Sequence, residues 1–282
     1  MLGERFAFMA FDRMAVQLIR NWDTTEMSSK GEPFVSIVIP AYNEVHRLEA
    51  SIRALRAYLA GVPWSFELIL VVELSTDGTL ELARRLIARD PAFEVIGNDV
   101  QRGKGCAVRT GMQRARGEIS FFMDTDLSTP LPEIDHFLAR FAQNPPVDVL
   151  VGNRQHAYSE ILQTQHFVRR KMGQTFNAIL RGISGIRLAD TQCGFKAFRS
   201  EARKRIFALQ KLDGFAFDVE VLLLAERLGF KVEDMPVQWS NAEGSKVRIV
   251  RDSARMLFDA LRVRRLVGKT LAERSRPAGT TQ

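Results

Sequence analysis

Long apolar runs are missing from this 282-residue chain. No stretch approaches the 18 or more apolar residues of a membrane-spanning helix, and no secretory signal pattern opens the chain. Cysteine is scarce. Cys106 and Cys193 lie far apart and give neither a disulfide framework nor a metal framework. A reducing cytosol is the expected setting. Phosphate-binding signatures of strict spacing are also missing. Gly103-Lys104-Gly105 lacks the Gly-x-x-x-x-Gly-Lys-Ser/Thr spacing of a Walker A loop. It also fails the Gly-x-Gly-x-x-Gly dinucleotide fingerprint, because Val108 stands where the third glycine belongs. Basic residues are not interleaved with aromatics, which argues against nucleic acid as a partner.

What is present is an ordinary globular composition, with 46% hydrophobic and 26% charged residues. That suffices for one large domain or two small ones. The net charge of +7 is local: from Lys246 onward there are ten basic residues against Asp252, Asp259 and Glu273, so the rest of the chain is near neutral. Such a basic end suits an anionic membrane surface or a polyphosphate, or is simply solvated. At the other end, Phe6, Met9, Phe11, Met14, Leu18, Ile19 and Trp22 largely fit one helical face. This N-terminal segment reads as an interfacial helix or one packed on the body. A polar linker follows up to Pro33.

From Val35 the chain alternates strand and helix. Strands are expected at Val35–Pro40, Phe66–Val72, Phe93–Ile96, Ile119–Met123 and Val147–Val151, with helices at about Leu48–Leu59, Thr79–Ala88 and Ala107–Arg116. This is the pattern of a parallel sheet with right-handed crossovers. Further helices are expected over Gln163–Ile183, with Arg169, Arg170 and Lys171, over Phe215–Leu228, and over Ser253–Leu266. A late strand within Lys231–Trp239 is interrupted by Pro236 and belongs near an edge. The last helix reads as basic and amphipathic, with Met256, Leu257, Leu261 and Leu266 set against Arg255, Arg262, Arg264 and Arg265. The expected division is residues 1–33 as an amphipathic segment and linker, 34–250 as the main domain, and 251–282 as a basic helix and disordered tail.

The run Ile119 to Met123 ends in Asp124-Thr125-Asp126. In open α/β sheets ligands bind at the carboxyl ends of strands, so both carboxylates belong at the mouth of a cleft. Their i, i+2 spacing can aim them at one hard cation such as Mg2+ or Mn2+. A helix cap is the plainer reading of the same residues. For Gly103-Lys104-Gly105, an anion site at a helix N-terminus competes with a tight turn.

Taken together, four loops are more specific. They are Pro40-Ala41-Tyr42-Asn43-Glu44, Ser75-Thr76-Asp77-Gly78-Thr79, Gly103-Lys104-Gly105 continuing to Gly111, and Asp124-Thr125-Asp126-Leu127. Their order and spacing resemble the family 2 glycosyltransferases of GT-A fold, most strongly over Val35 to Arg199. Later stretches, Asp190-Thr191-Gln192-Cys193-Gly194-Phe195-Lys196, Phe217-Asp218-Val219-Glu220 and Trp239 to Lys246, look most like the dolichyl-phosphate or polyprenyl-phosphate glucosyltransferase branch. Mannosyltransferase relatives usually show another version of the Gln-Cys-Gly-Phe-Lys stretch.

The resemblance implies an α/β fold of GT-A type, an open and mostly parallel sheet flanked by helices. It implies that Pro40, Tyr42 and Glu44 line the nucleoside pocket, that Glu73 contacts the base, and that Lys104 lies near the nucleotide. Asp124 and Asp126 would hold the metal on the donor diphosphate, Asp218 and Glu220 would lie near sugar and acceptor, and Lys246, Arg248 and Arg251 would receive phosphate. Two departures stand out. The loop after the second strand is one residue short and lacks the second acid of the usual Asp-Asp-Gly-Ser pattern. The middle residue of the metal motif is Thr125 instead of alanine.

The implied reaction is inverting transfer of a hexose, glucose from UDP-glucose, to a polyprenyl or dolichyl phosphate. A lipid phosphate is already ionised and needs no strong base; a hydroxyl acceptor would need Asp218 or Glu220 for that work. A soluble hydroxyl acceptor, a GDP-mannose donor, and a catalytically weak sugar-nucleotide-binding protein remain alternatives. The expected location is cytoplasmic, with peripheral attachment to the cytoplasmic membrane face.

Overall fold

The computed structural model describes residues 32–88, 90–163, 178, 180–240 and 249–275, with the side chains of 249–255 and 275 excepted. The expected N-terminal helix and linker, most of the Gln163–Ile183 helix, and Lys246 and Arg248 lie outside the described residues.

Strand and helix alternate as the hydrophobic pattern requires: β1 (Val35–Ala41), α1 (Val45–Leu59), β2 (Phe66–Val72), α2 (Thr79–Ile87), β3 (Phe93–Gly97), α3 (Lys104–Arg114) and β4 (Ile119–Met123). Then come α4 (Glu133–Phe141), β5 (Val149–Asn153), β6 (Ile161–Gln163), β7 (Phe195–Arg199), α5 (Ser200–Phe207), α6 (Phe217–Arg227), β8 (Val232–Pro236), β9 (Trp239–Ser240) and α7 (Ile249–Ser275). Seven strands form one sheet in the order β3-β2-β1-β4-β7-β5-β8. All pairs are parallel except those of β7, which runs antiparallel to both β4 and β5. The alternating pattern did not reveal β7, α4 or α5. As expected, Pro236 falls on an edge strand, where its missing N–H breaks no ladder.

Helices cover both faces of the sheet, so the central strands are buried on both sides and need not alternate. Phe121 and Phe195 pack with α1, α2 and α4 through Ile52, Leu55, Leu82, Ile134 and Phe137. Phe122 and Phe198 pack on the other side with α3, α5, α6 and α7 through Val108, Met112, Ile206, Phe217 and Val263.

The last helix departs from expectation in length and in its apolar face. It starts at Ile249 and runs to Ser275. Its buried face is Met256, Ala260, Val263 and Val267, joined to the α6 core. Those positions follow the 3.6-residue period; a count of large residues alone overlooks Ala260 and the two valines. Leu261 lies outward at 62% exposure, with Phe258 at 53%.

Helix α3 approaches β1 and β2 through Gly111. A Cβ there would overlap Val38 Cγ1 and lie 3.1 Å from Val71 Cγ2. Gly111→Val should therefore lower stability by about 1–3 kcal/mol through overpacking, read as a fall in the urea midpoint. An unchanged midpoint would show that α3 can move away freely.

Candidate active site

The parallel strands deliver their carboxyl ends to one side of the sheet. There the end of β1 (Pro40), the end of β2 (Glu73) and the end of β4 (Asp124) lie side by side, since Val38 pairs with Phe122 and Ala41 with Val72. Because β7 is antiparallel, it contributes its start: Phe195 pairs with Met123, which sets Gly194 beside Asp124. The approach is so close that a Cβ on Gly194 would overlap Asp124 Oδ2. Gly194 is thus glycine because Asp124 occupies the space a side chain would need.

Asp124 and Asp126 are brought together at the mouth, at 37% and 27% side-chain exposure. Asp124 Oδ1 faces Lys104 Nζ at 2.5 Å. Asp126 Oδ1 accepts the Ser128 N–H at 3.0 Å, and Leu127 between them takes φ +50°, a conformation uncommon for leucine. Arg47, on α1, bonds Glu44 at 2.7 Å and lies 3.8 Å from Asp126. Thr125, the unusual middle residue, donates its hydroxyl to the Pro40 carbonyl at 2.7 Å, and its own carbonyl accepts from Ser51 at 2.6 Å. The threonine therefore ties β1 and α1 to the motif. Two carboxylates at this spacing could hold a hard cation only with further oxygen ligands from outside the chain. Among the described residues, no cluster of three or more acidic, His or Cys side chains forms a self-sufficient metal cage.

The loops after β1 and β2 are knitted by side chains. Asp77 accepts the Val45 N–H at 3.1 Å and the Thr79 N–H at 3.0 Å, so one carboxylate serves the first turns of both α1 and α2. Burial works to raise its carboxyl, but hydrogen bonds from the Thr79 hydroxyl and these N–H groups together outweigh it and hold the group below its ordinary value. Asn43, at φ +53°, accepts the Thr76 N–H at 2.9 Å. Tyr42 sits half-buried in the same loop.

Glu73 is 3% exposed. Its carboxylate accepts Asn98 Nδ2 at 2.6 Å, the Arg102 N–H at 2.7 Å and the Gly103 N–H at 2.8 Å. Gly103 has φ +129°, and a Cβ there would lie 2.6 Å from the Asp213 carbonyl oxygen. The Gly-Lys-Gly stretch is thus a turn that seats α3 on the 212–217 segment, with its preceding N–H groups taken by Glu73.

Behind the mouth lies a line of alternating charges, Lys104, Asp218 and Lys196, of which sequence reasoning left Lys196 without a role. Lys196 is fully buried. Its ammonium pairs with Asp218 Oδ1, donates to the Cys193 carbonyl at 2.7 Å, and lies 5.1 Å from the Phe122 ring centre. Burial pushes the Asp218 carboxyl above its ordinary value, against the pull of Lys196 and Lys104. Burial alone would lower the Lys104 ammonium, but Asp124, Asp218 and Asp126 together hold it above its ordinary value. The signal for Lys196 was a cation between apolar residues, in the run Phe195-Lys196-Ala197-Phe198. Glu220 lies apart from this line: its oxygens accept the Lys211 N–H at 2.9 Å and the Leu212 N–H at 2.7 Å, so it anchors a loop. At the end of β5, Arg154 holds the buried Asp190 through contacts of 2.7 and 3.0 Å and lies over Trp239. Burial works to raise the Asp190 carboxyl, but Arg154 overrides it and holds it low. Of the expected phosphate-binding residues, Arg251 falls in the first turn of α7, and its side chain is outside the described residues.

A buried charge left without its partner is costly. Lys196→Met should lose about 3–5 kcal/mol of stability, and adding Asp218→Leu should restore much of that loss. Urea denaturation of the three proteins checks this; equal losses in the single and double variants would contradict the pairing.

Residues 36–207 match the family described as Glycosyl transferase family 2. The chain is 33% identical over 227 residues to a dolichyl-phosphate beta-glucosyltransferase of Drosophila melanogaster, covering 76% of this chain and 69% of that protein. It is 29% identical over 286 residues to the Saccharomyces cerevisiae protein of the same name, covering 93% and 83%. Among solved structures, it is similar to glucosyl-3-phosphoglycerate synthase from Mycobacterium tuberculosis in complex with Mn2+, UDP-glucose and phosphoglyceric acid, with a TM-score of 0.61 and 21% identity over 88% of this chain and 85% of that one. That likeness bears on the fold. The sequence match and the sheet with its Asp124–Asp126 mouth agree: the chain is a glycosyltransferase that belongs to family 2, with the GT-A fold.

Proposed function

We propose that the protein transfers glucose from UDP-glucose to a polyprenyl or dolichyl phosphate, inverting the configuration at the anomeric carbon. The names of its relatives support the glucosyl group and the dolichyl phosphate acceptor. The observation that carries the acceptor class is the condition of the two acids that could serve as a base. Asp218 is buried against Lys196, and Glu220 is held by two backbone N–H groups. Both are already engaged by partners inside the fold. A phosphate oxygen arrives ionised and has no proton to give up, so the site suits a phosphate.

In this reading the acceptor oxygen attacks C1 as the C1–O bond to UDP breaks, and the electron pair leaves with the β-phosphate. An α-linked donor then gives a β-linked product. Asp124 and Asp126 would hold Mg2+ or Mn2+ against the diphosphate, where a cation supplies charge stabilisation for the leaving group. Lys104 stands at the same place and adds a donor aimed at the developing charge; removing such a group typically costs roughly 3–4 kcal/mol of barrier. Arg154, Lys246, Arg248 and Arg251 are the candidates to orient the acceptor phosphate. Pro40, Tyr42 and Glu44 are candidates for the nucleoside pocket.

A lipid acceptor brings the cleft to a membrane surface. No helix among the described residues is long and apolar enough to cross one. The outward face of α7 carries Phe258 and Leu261 with Arg262, Arg265 and Lys269 at helical spacing. Each cation near an anionic leaflet contributes about 1 kcal/mol, enough together for reversible attachment. With UDP-glucose and Mn2+, label should pass to polyprenyl phosphate in anionic vesicles, more slowly in neutral vesicles or high salt, and not to polyprenol. Transfer to a soluble hydroxyl with none to polyprenyl phosphate would sink this reading.

A further inference from the structure

We infer that Glu73 is a positioning residue for Lys104 and does not read the base of the donor. The inference rests on the reading of Asp124 and Lys104 as the diphosphate site. A carboxylate offers about four acceptor positions. Three of those on Glu73 are taken by Asn98, Arg102 and Gly103, all from the loop that leads into Lys104. At 3% exposure the group would have to release that loop to meet a nucleobase. The backbone beside it is equally fixed: the Glu73 N–H donates to the Ala41 carbonyl at 2.9 Å, and its own carbonyl accepts from Ser75 Oγ at 2.8 Å.

The loop it grips ends one residue before the cation that matters. Gly103 is pinned against the Asp213 carbonyl on one side and the Glu73 carboxylate on the other. Lys104 follows directly, and its ammonium reaches Asp124 at 2.5 Å. The chain of contacts Glu73, Gly103, Lys104, Asp124 joins the carboxyl end of β2 to that of β4. A longer acidic side chain suits the task, because it spans from the strand end to two successive backbone N–H groups. Base selectivity then falls to other parts of the pocket.

Calorimetry of UDP and GDP binding with Mn2+ tests this on the wild type, Glu73→Gln, Lys104→Met and the double variant. Glu73→Gln should weaken both nucleotides by the same factor, tenfold or more, and leave the UDP:GDP ratio unchanged. The double variant should bind no more weakly than Lys104→Met alone, because the two residues act as one unit. A shift in the UDP:GDP ratio would make Glu73 a base reader and overturn the inference. Additive losses would also overturn it, since Glu73 would then act independently of Lys104. If Glu73→Gln does not fold, Glu73→Asp, which keeps the charge but falls short of the loop, is read in the same way. A wild type that takes up neither nucleotide overturns the site reading itself, and the inference with it.

Discussion

The structure depends on keeping several charges in a place that is mostly out of water. From the mouth inward they run Asp126, Asp124, Lys104, Asp218 and Lys196, with signs that compensate along the line. Burying an isolated charge is prohibitively costly, and a buried pair survives only with good geometry and further hydrogen bonds. Those conditions explain features that otherwise look unrelated. Gly194 is small because Asp124 fills its side-chain space. Strand β7 runs antiparallel and brings Lys196 beneath the end of β4. The Cys193 carbonyl and the Phe122 ring complete the shell of the buried ammonium.

The same arrangement constrains the chemistry. With its inner acid paired to a lysine, the site holds a set pattern of charge. In the proposed reaction that pattern offers two outward carboxylates and one ammonium to a diphosphate. The residues that hold the mouth lie in the loops that follow the strands and are tied by hydrogen bonds: Thr125 fixes the motif to β1, and Asp77 fixes α1 to α2. Such preorganisation lets the site meet a leaving group without rearranging at the moment of reaction.

Much of this was legible in the sequence. Five of the six parallel strands and their loops show as short apolar runs broken by Asp, Gly and Pro, and the Asp124–Asp126 pair stands out because two acids end a buried run. Strand β7 was harder, since Phe195-Lys196-Ala197-Phe198 carries a lysine that looks wrong for a core until its partner on α6 is seen. Glu73 could be named from its position but not from its partners, which lie 25 to 30 residues away. The face of α7 was misjudged because alanine and valine, not leucine, make the close contact with the body. Pairings across the fold are set by tertiary geometry, which local patterns do not encode.

The central claim is that transfer proceeds to an already ionised phosphate with no side chain removing a proton. The solvent deuterium isotope effect on single-turnover glucosyl transfer to polyprenyl phosphate tests it most directly. With no proton in flight, the rate in D2O should equal the rate in H2O at the pH plateau. A slower rate in D2O that disappears in Asp218→Asn would contradict the account and make Asp218 a general base.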